Sequence, residues 1–92
     1  MQTNRVEILE KALKALEKIP SPSKEQIIDD IIGLQMPISQ WQFGKVKPLA
    51  HHKPFWELKS GDYRSFFVIE KNKVTIFRII HRKDLERLLR IL

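Results

Sequence analysis

The residues best suited to chemistry lie in the second half of the chain. Lys59 and Arg64 flank the turn sequence Ser60-Gly61-Asp62, and Arg78, His81, Arg82 and Lys83 follow within one later segment. Cations gathered this way suit a phosphate, which arginine meets through a planar fork of donors and lysine as a compact charge. The plainer alternative is an ordinary salt-bridge cluster in which Glu57 or Asp62 neutralises these cations. His51 and His52 have no third carboxylate or cysteine at ligand spacing, so no metal site is expected. The chain has no cysteine, which excludes disulfides, thiolate metal sites and a cysteine nucleophile. No glycine-rich phosphate loop occurs, and no cofactor is expected.

The charge distribution supports an anionic partner. Residues 1–44 carry five basic and six acidic side chains, whereas residues 45–92 carry twelve and five. All the excess positive charge therefore sits in the C-terminal half, as expected for a chain that meets nucleic acid or an acidic protein segment. At 92 residues the chain is read as one domain spanning 1–92. It shows no signal-peptide pattern and no apolar run near the roughly 20 residues that cross a bilayer. A cytoplasmic protein without a membrane partner is expected.

The elements that must position these residues can be read from periodicity. Ala12, Leu13, Leu16 and Ile19 recur at helical spacing, ended by Pro20-Ser21-Pro22. Before them Val6 and Ile8 alternate with Arg5 and Glu7 as in a strand, although Val6 and Leu9 equally fit an extension of the helix. A second helix is expected from Ser23, with Ser23 and Gln26 forming a capping box and Ile27, Ile28, Ile31, Ile32 and Leu34 as its apolar stripe. Residues 36–54 read as a connection, with Trp41 and Phe43 as packing residues. Strands follow over 55–59, 63–70 and 74–80, and a short helix over 84–92.

Strand parity then sorts the charges. A two-residue loop at Gly61-Asp62 puts Lys59 opposite Arg64 and Glu57 opposite Phe66, all on one face. A three-residue loop at Lys71-Asn72-Lys73 adds Arg78 and Arg82 to that face; a two-residue loop moves both to the other side. On the first arrangement Trp56, Leu58, Phe67, Ile69, Phe77 and Ile79 form the surface that the helices cover. Phe66, Val68, Val74 and Ile76 share the basic face, where a partner segment or the C-terminal helix must cover them.

Phe55-Trp56-Glu57-Leu58-Lys59, Gly61-Asp62-Tyr63-Arg64 and Ile80-His81-Arg82-Lys83-Asp84, with Pro48-Leu49 upstream, resemble the C-terminal half of RelE/ParE superfamily toxins. The upstream order of strand, helix and helix extends the resemblance over nearly the whole chain. It implies an α+β fold: a curved, largely antiparallel sheet, an N-terminal helical hairpin on one face and a short C-terminal helix. It also implies a toxin–antitoxin toxin that cleaves mRNA in the ribosome without a metal, with a cognate antitoxin as partner. Arg64 matches the arginine that stabilises charge on the phosphate, and Arg82 matches a second basic residue. Lys59 and His81 sit where members carry groups that move protons or orient phosphate. Glu57 stands where some members have a catalytic lysine and is read as a base or a counter-ion. Lys45, Lys47, Lys59, Arg78 and Lys83 are the cations expected to touch RNA. The tyrosine that many ribosome-dependent members carry beyond the HR pair is absent from Leu85-Glu86-Arg87. A gyrase-inhibiting toxin and a non-catalytic module that only binds antitoxin or RNA are therefore the alternatives.

Overall fold

The alternation of Val6 and Ile8 with Arg5 and Glu7 is that of a strand. In the computed structural model, which describes residues 3–92, β1 (Arg5–Ile8) pairs in parallel with β5 (Lys73–His81), Val6 opposite Val74 and Ile8 opposite Ile76. The chain then turns into α1 (Glu10–Glu17) and α2 (Ser23–Gly33), the expected helical hairpin. Ser23 lies inside α2 rather than capping it. Pro22 holds the cap position, the Ser21 hydroxyl bonds Glu25, and the Gln26 amide goes to Asp30. Proline before the first turn loses no needed donor, so the capping box is dispensable. The end of α2 is tied down by buried Asn4, whose side-chain amide donates to Leu34 O and Met36 O at 3.0 and 2.9 Å.

The connection from α2 contains a short 3-10 turn (Ile38–Gln40) and a strand that sequence periodicity does not reveal, β2 (Val46–Pro48). Three residues are too few for an alternation signal. β3 (Trp56–Ser60), β4 (Tyr63–Glu70) and β5 complete a sheet of order β1-β5-β4-β3-β2, antiparallel except at β1. The α1–α2 hairpin buries Ala12, Leu16, Ile27 and Ile31 against Leu58, Phe67, Val74, Ile76 and Ile79. Trp41 packs edge-on to Trp56 and Phe67, with ring centroids 5.5 and 5.6 Å apart. Phe43 is no packing residue: it is 81% exposed. On the other face α3 (Leu85–Ile91) lays Leu88 over Leu49 and Phe66, joined by Phe55, Phe77 and Ile80. Each large side chain so buried is worth about 1.5–3 kcal/mol.

The register of the central hairpins differs from expectation in one place and is rescued in another. Gly61, at φ 58°, and Asp62 form a two-residue turn, so Lys59 does face Arg64 and Glu57 does face Phe66. The β4–β5 turn is also two residues long, Lys71-Asn72, rather than three. Both have positive φ, 49° and 64°, the pattern of a type I′ turn. This places Val74 and Ile76 under the helices instead of on the basic face. A β-bulge between Phe66 and Phe67 then inserts Phe77 as an extra residue and returns Arg78 to a position opposite Phe66. Phe77 itself joins the α3 cluster, not the helix-hairpin side.

Lysine at positive φ is strained, and Asn-Gly is the pair a type I′ turn favours. The double variant Lys71→Asn/Asn72→Gly should therefore raise folding stability by about 1 kcal/mol. Urea denaturation measures this, and an unchanged or lowered midpoint would contradict the assigned turn.

Candidate functional site

Five of the expected site residues, Lys45, Lys47, Glu57, Lys59 and Arg64, line one cavity. β3 carries Glu57 and Lys59, β4 places Arg64 opposite Lys59, and β2 places Lys47 opposite Glu57. Alternation alone sends all four to the same face. Together with Gly44, Lys45 and Leu85 they line a cavity of about 230 Å³. Leu85, at the start of α3, makes the apolar part of the wall. Loss of solvent on that side strengthens whatever electrostatics the cavity holds.

Arg64 is held in a defined orientation. Its Nη1 donates to Gly61 O at 2.7 Å and to Tyr63 O at 2.9 Å, and its Nε lies 3.8 Å from Glu57 Oε1. The Arg64 and Glu57 side chains are only 11% and 8% exposed. Both carbonyls come from the Gly61-Asp62 hairpin, so the turn that sets the register also orients the guanidinium. Among the described residues Lys47 and Lys59 have no ion pair, which leaves three cations around one carboxylate. The excess charge favours an anion with several oxygens.

The remaining candidates stand elsewhere. His81 pairs with Tyr63 in the register, on the helix-covered face, with ring centroids 5.2 Å apart; its Nδ1 accepts from Lys83 N at 3.1 Å. Arg82 has left the strand for a 3-10 turn (Arg82–Asp84) and is exposed, its Nε 3.4 Å from Asp62 Oδ1. Lys83 is exposed on the same turn. Arg78 lines a separate groove against α1. Lys45 reaches the cavity wall, and its carbonyl accepts from Lys59 N at 2.7 Å, but its ammonium bonds Asp30 Oδ1 on α2 at 2.9 Å. Sequence reasoning missed the strand that carries Lys47 and the role of Leu85.

The Asp30–Lys45 pair anchors the β2 side of the cavity to α2. Burial pushes the Asp30 carboxyl upward, but hydrogen bonding from Lys45 and Gln26, with the Lys45 charge, outweighs it and leaves the pKa lowered. A carboxyl with a lowered folded pKa contributes stability that is present above the unfolded value, about 4, and is lost as pH falls through the folded value. Asp30→Asn should thus be less stable than the parent chain at pH 7, and the gap should narrow below about pH 4. Denaturation midpoints at both pH values test this; a gap of the same size in acid would show that ionisation of Asp30 is not its source.

Comparison with known proteins agrees with this geometry. Residues 6–86 match the family described as the ParE toxin of the type II toxin–antitoxin system parDE. Among solved structures, the fold is shared with the RelBE2 toxin–antitoxin complex of Mycobacterium tuberculosis at 24% identity and a TM-score of 0.72, covering 91% of this chain and 97% of that one. The RelB–RelE complex of Methanococcus jannaschii matches at 16% identity and 0.72, covering 89% and 96%. A mutant of the E. coli toxin RelE in the free state matches at 19% identity and 0.70, covering 99% and 100%. No curated protein matches the chain. The match over most of its length shows that the chain belongs to the ParE toxin family of type II toxin–antitoxin systems, within the RelE/ParE superfamily.

Proposed function

We propose that this toxin cleaves mRNA in the ribosome without a metal, by attack of a ribose 2′-hydroxyl on the adjacent phosphate. The observation that carries the reading is the convergence of Lys47, Lys59 and Arg64 around buried Glu57 in one phosphate-sized cavity. RNA supplies its own nucleophile, so the protein must take the 2′ proton, return one to the leaving 5′ oxygen and hold the charge that grows on phosphate. Glu57 is the carboxylate in place to take the proton. The free side of the Arg64 guanidinium faces the developing charge, because Nη1 is already committed to Gly61 and Tyr63. Lys47 and Lys59 orient the phosphate, and either ammonium can protonate the leaving oxygen. The products are a 2′,3′-cyclic phosphate and a 5′-hydroxyl. His81 and Arg82 stand outside this group; they and Lys83 are placed to meet flanking RNA or the ribosome. A cognate antitoxin is the expected protein partner, as in the matched toxin–antitoxin complexes.

The family match itself favours a second reading, inhibition of DNA gyrase, in which the same basic cavity does no cutting. Induced expression separates the two. Growth arrest should come with mRNA fragments ending in cyclic phosphate, and purified gyrase should keep its supercoiling activity. Arg64→Ala should lower cleavage about 10²–10³-fold. Removing one partner of a buried pair also destabilises the fold, so circular dichroism must show this variant folded. Lys59→Ala, at an exposed position, should lower cleavage without affecting folding. Arrest with intact mRNA and full toxicity of folded Arg64→Ala would reject the nuclease reading.

A further inference from the structure

The turn that leads into β2 carries a side chain that the fold does not use. Gln42 O accepts from Lys45 N at 2.9 Å and from Val46 N at 2.8 Å, so Phe43 and Gly44 hold the tip of a closed turn. Two further contacts brace that turn. Lys45 O accepts from Lys59 N on β3 at 2.7 Å, and the Lys45 ammonium bonds Asp30 of α2 at 2.9 Å. Phe43, at 81%, is the most exposed large apolar side chain among the described residues, ahead of Ile91 at 72%. It belongs to neither hydrophobic cluster. A ring held in water on a braced turn gives up the burial that makes phenylalanine stabilising. Its neighbour Gly44 lines the cavity of Lys47, Glu57, Lys59 and Arg64. Nothing in the fold asks for glycine there: the backbone at Gly44 is not left-handed, and an added Cβ would meet no atom within 4 Å.

We propose that Phe43 is a stacking platform for a nucleobase of an RNA whose backbone phosphate sits in the cavity. Consecutive Cα atoms are only about 3.8 Å apart, so Phe43 stands at the rim of the space that Gly44 lines. In a nucleotide the base and the phosphate leave the ribose in different directions. A phosphate drawn to Lys47, Lys59 and Arg64 therefore leaves its base outside the cluster of cations. A base turned out of its own stack needs a flat apolar partner. An exposed aromatic ring supplies one for any base, since every base has a π-face. Glycine at 44 keeps side-chain atoms out of the path between ring and cavity. A protein partner fits less well, because a docking patch needs contiguous apolar surface, whereas the chain around Phe43 reads Gln42, Gly44 and Lys45. The inference rests on the RNA reading proposed above and adds to it a place for the base.

The test uses the full chain and an RNA of about four nucleotides. A deoxyribose before its central phosphate prevents cleavage, and a fluorescent purine analogue, dim when stacked, stands on one or the other side of that phosphate. Binding to the parent chain should quench the analogue at one of the two positions. Phe43→Ala should lose that quenching and bind about tenfold more weakly, and Phe43→Trp should keep both. Phe43→Leu retains apolar bulk without a ring and should behave as the alanine variant does. Because the side chain is exposed, all three should keep the parent's denaturation midpoint. Lys59→Ala should weaken binding yet leave the saturated complex quenched. Unchanged affinity and quenching in Phe43→Ala, or no quenching by the parent chain at either position, would overturn the assignment. So would parent-like binding by Phe43→Leu, which would mark an apolar contact of the kind a protein makes. Cleavage is not read with this probe. Bound, quenched RNA beside intact cellular mRNA would reject the nuclease and keep the stacking site; cut mRNA with unchanged binding by Phe43→Ala would do the reverse.

Discussion

Pairing between β4 and β5 is the constraint on which the other features depend, because a sheet of period two turns every side chain over when register slips by one. The tight Lys71-Asn72 turn sends Val74 and Ile76 under the helical hairpin, where they are fully buried. Carried to the end of the strand, that register would put Arg78 opposite Ser65 instead of Phe66. The extra residue at Phe77 prevents this, and it lets one strand serve the helix-side core at its start and the α3 cluster near its end. A bulge leaves a residue unpaired and locally disrupts the ladder. Here that cost is offset by burial of Phe77 against Phe55, with ring centroids 5.1 Å apart.

The cavity inherits its order from the same sheet. Cross-strand cations directly opposite each other repel, and Lys59 and Arg64 are such a pair. The fold meets this by folding the Arg64 guanidinium back onto the Gly61 and Tyr63 carbonyls and toward Glu57. Glu57 thereby compensates a buried cation, while Lys59 remains in solvent where its charge is cheap to hold. The carboxylate therefore serves the fold whether or not it also moves a proton. That dual use explains how glutamate is tolerated at a nearly buried position among cations.

How much of this was legible follows from signal length. The helical hairpin, β3, β4, β5 and the C-terminal helix announce themselves through runs of five residues or more, and the Gly61-Asp62 turn through glycine at the position that needs positive φ. The Lys59–Arg64 pairing followed from that turn alone. β2 was invisible because three residues carry no periodicity, and with it the placement of Lys47. The second turn was misread because Lys71-Asn72 lacks the glycine that usually marks a type I′ turn. Nothing local marks Phe77 as a bulge, since its place depends on which strands flank it. Arg78 thus reached the expected register by two departures that cancel, and His81 fell on the Tyr63 side because it ends the strand one residue beyond Ile80.

Clustering of positive charge in the C-terminal half does not translate into one basic face. The cavity draws its cations from β2, β3 and β4, whereas a groove beside α1 combines Arg78 with Lys11, Lys14 and, just past the helix, Lys18, from the half of the chain whose net charge is slightly acidic. Half-chain bookkeeping cannot see such a surface, because the six acidic residues of that half outweigh its five basic ones in the sum while helical spacing gathers three lysines along one wall. The two surfaces also differ in kind. The cavity, about 230 Å³, is lined mostly by charged side chains and walled by Leu85; the groove, about 370 Å³, is floored by isoleucines.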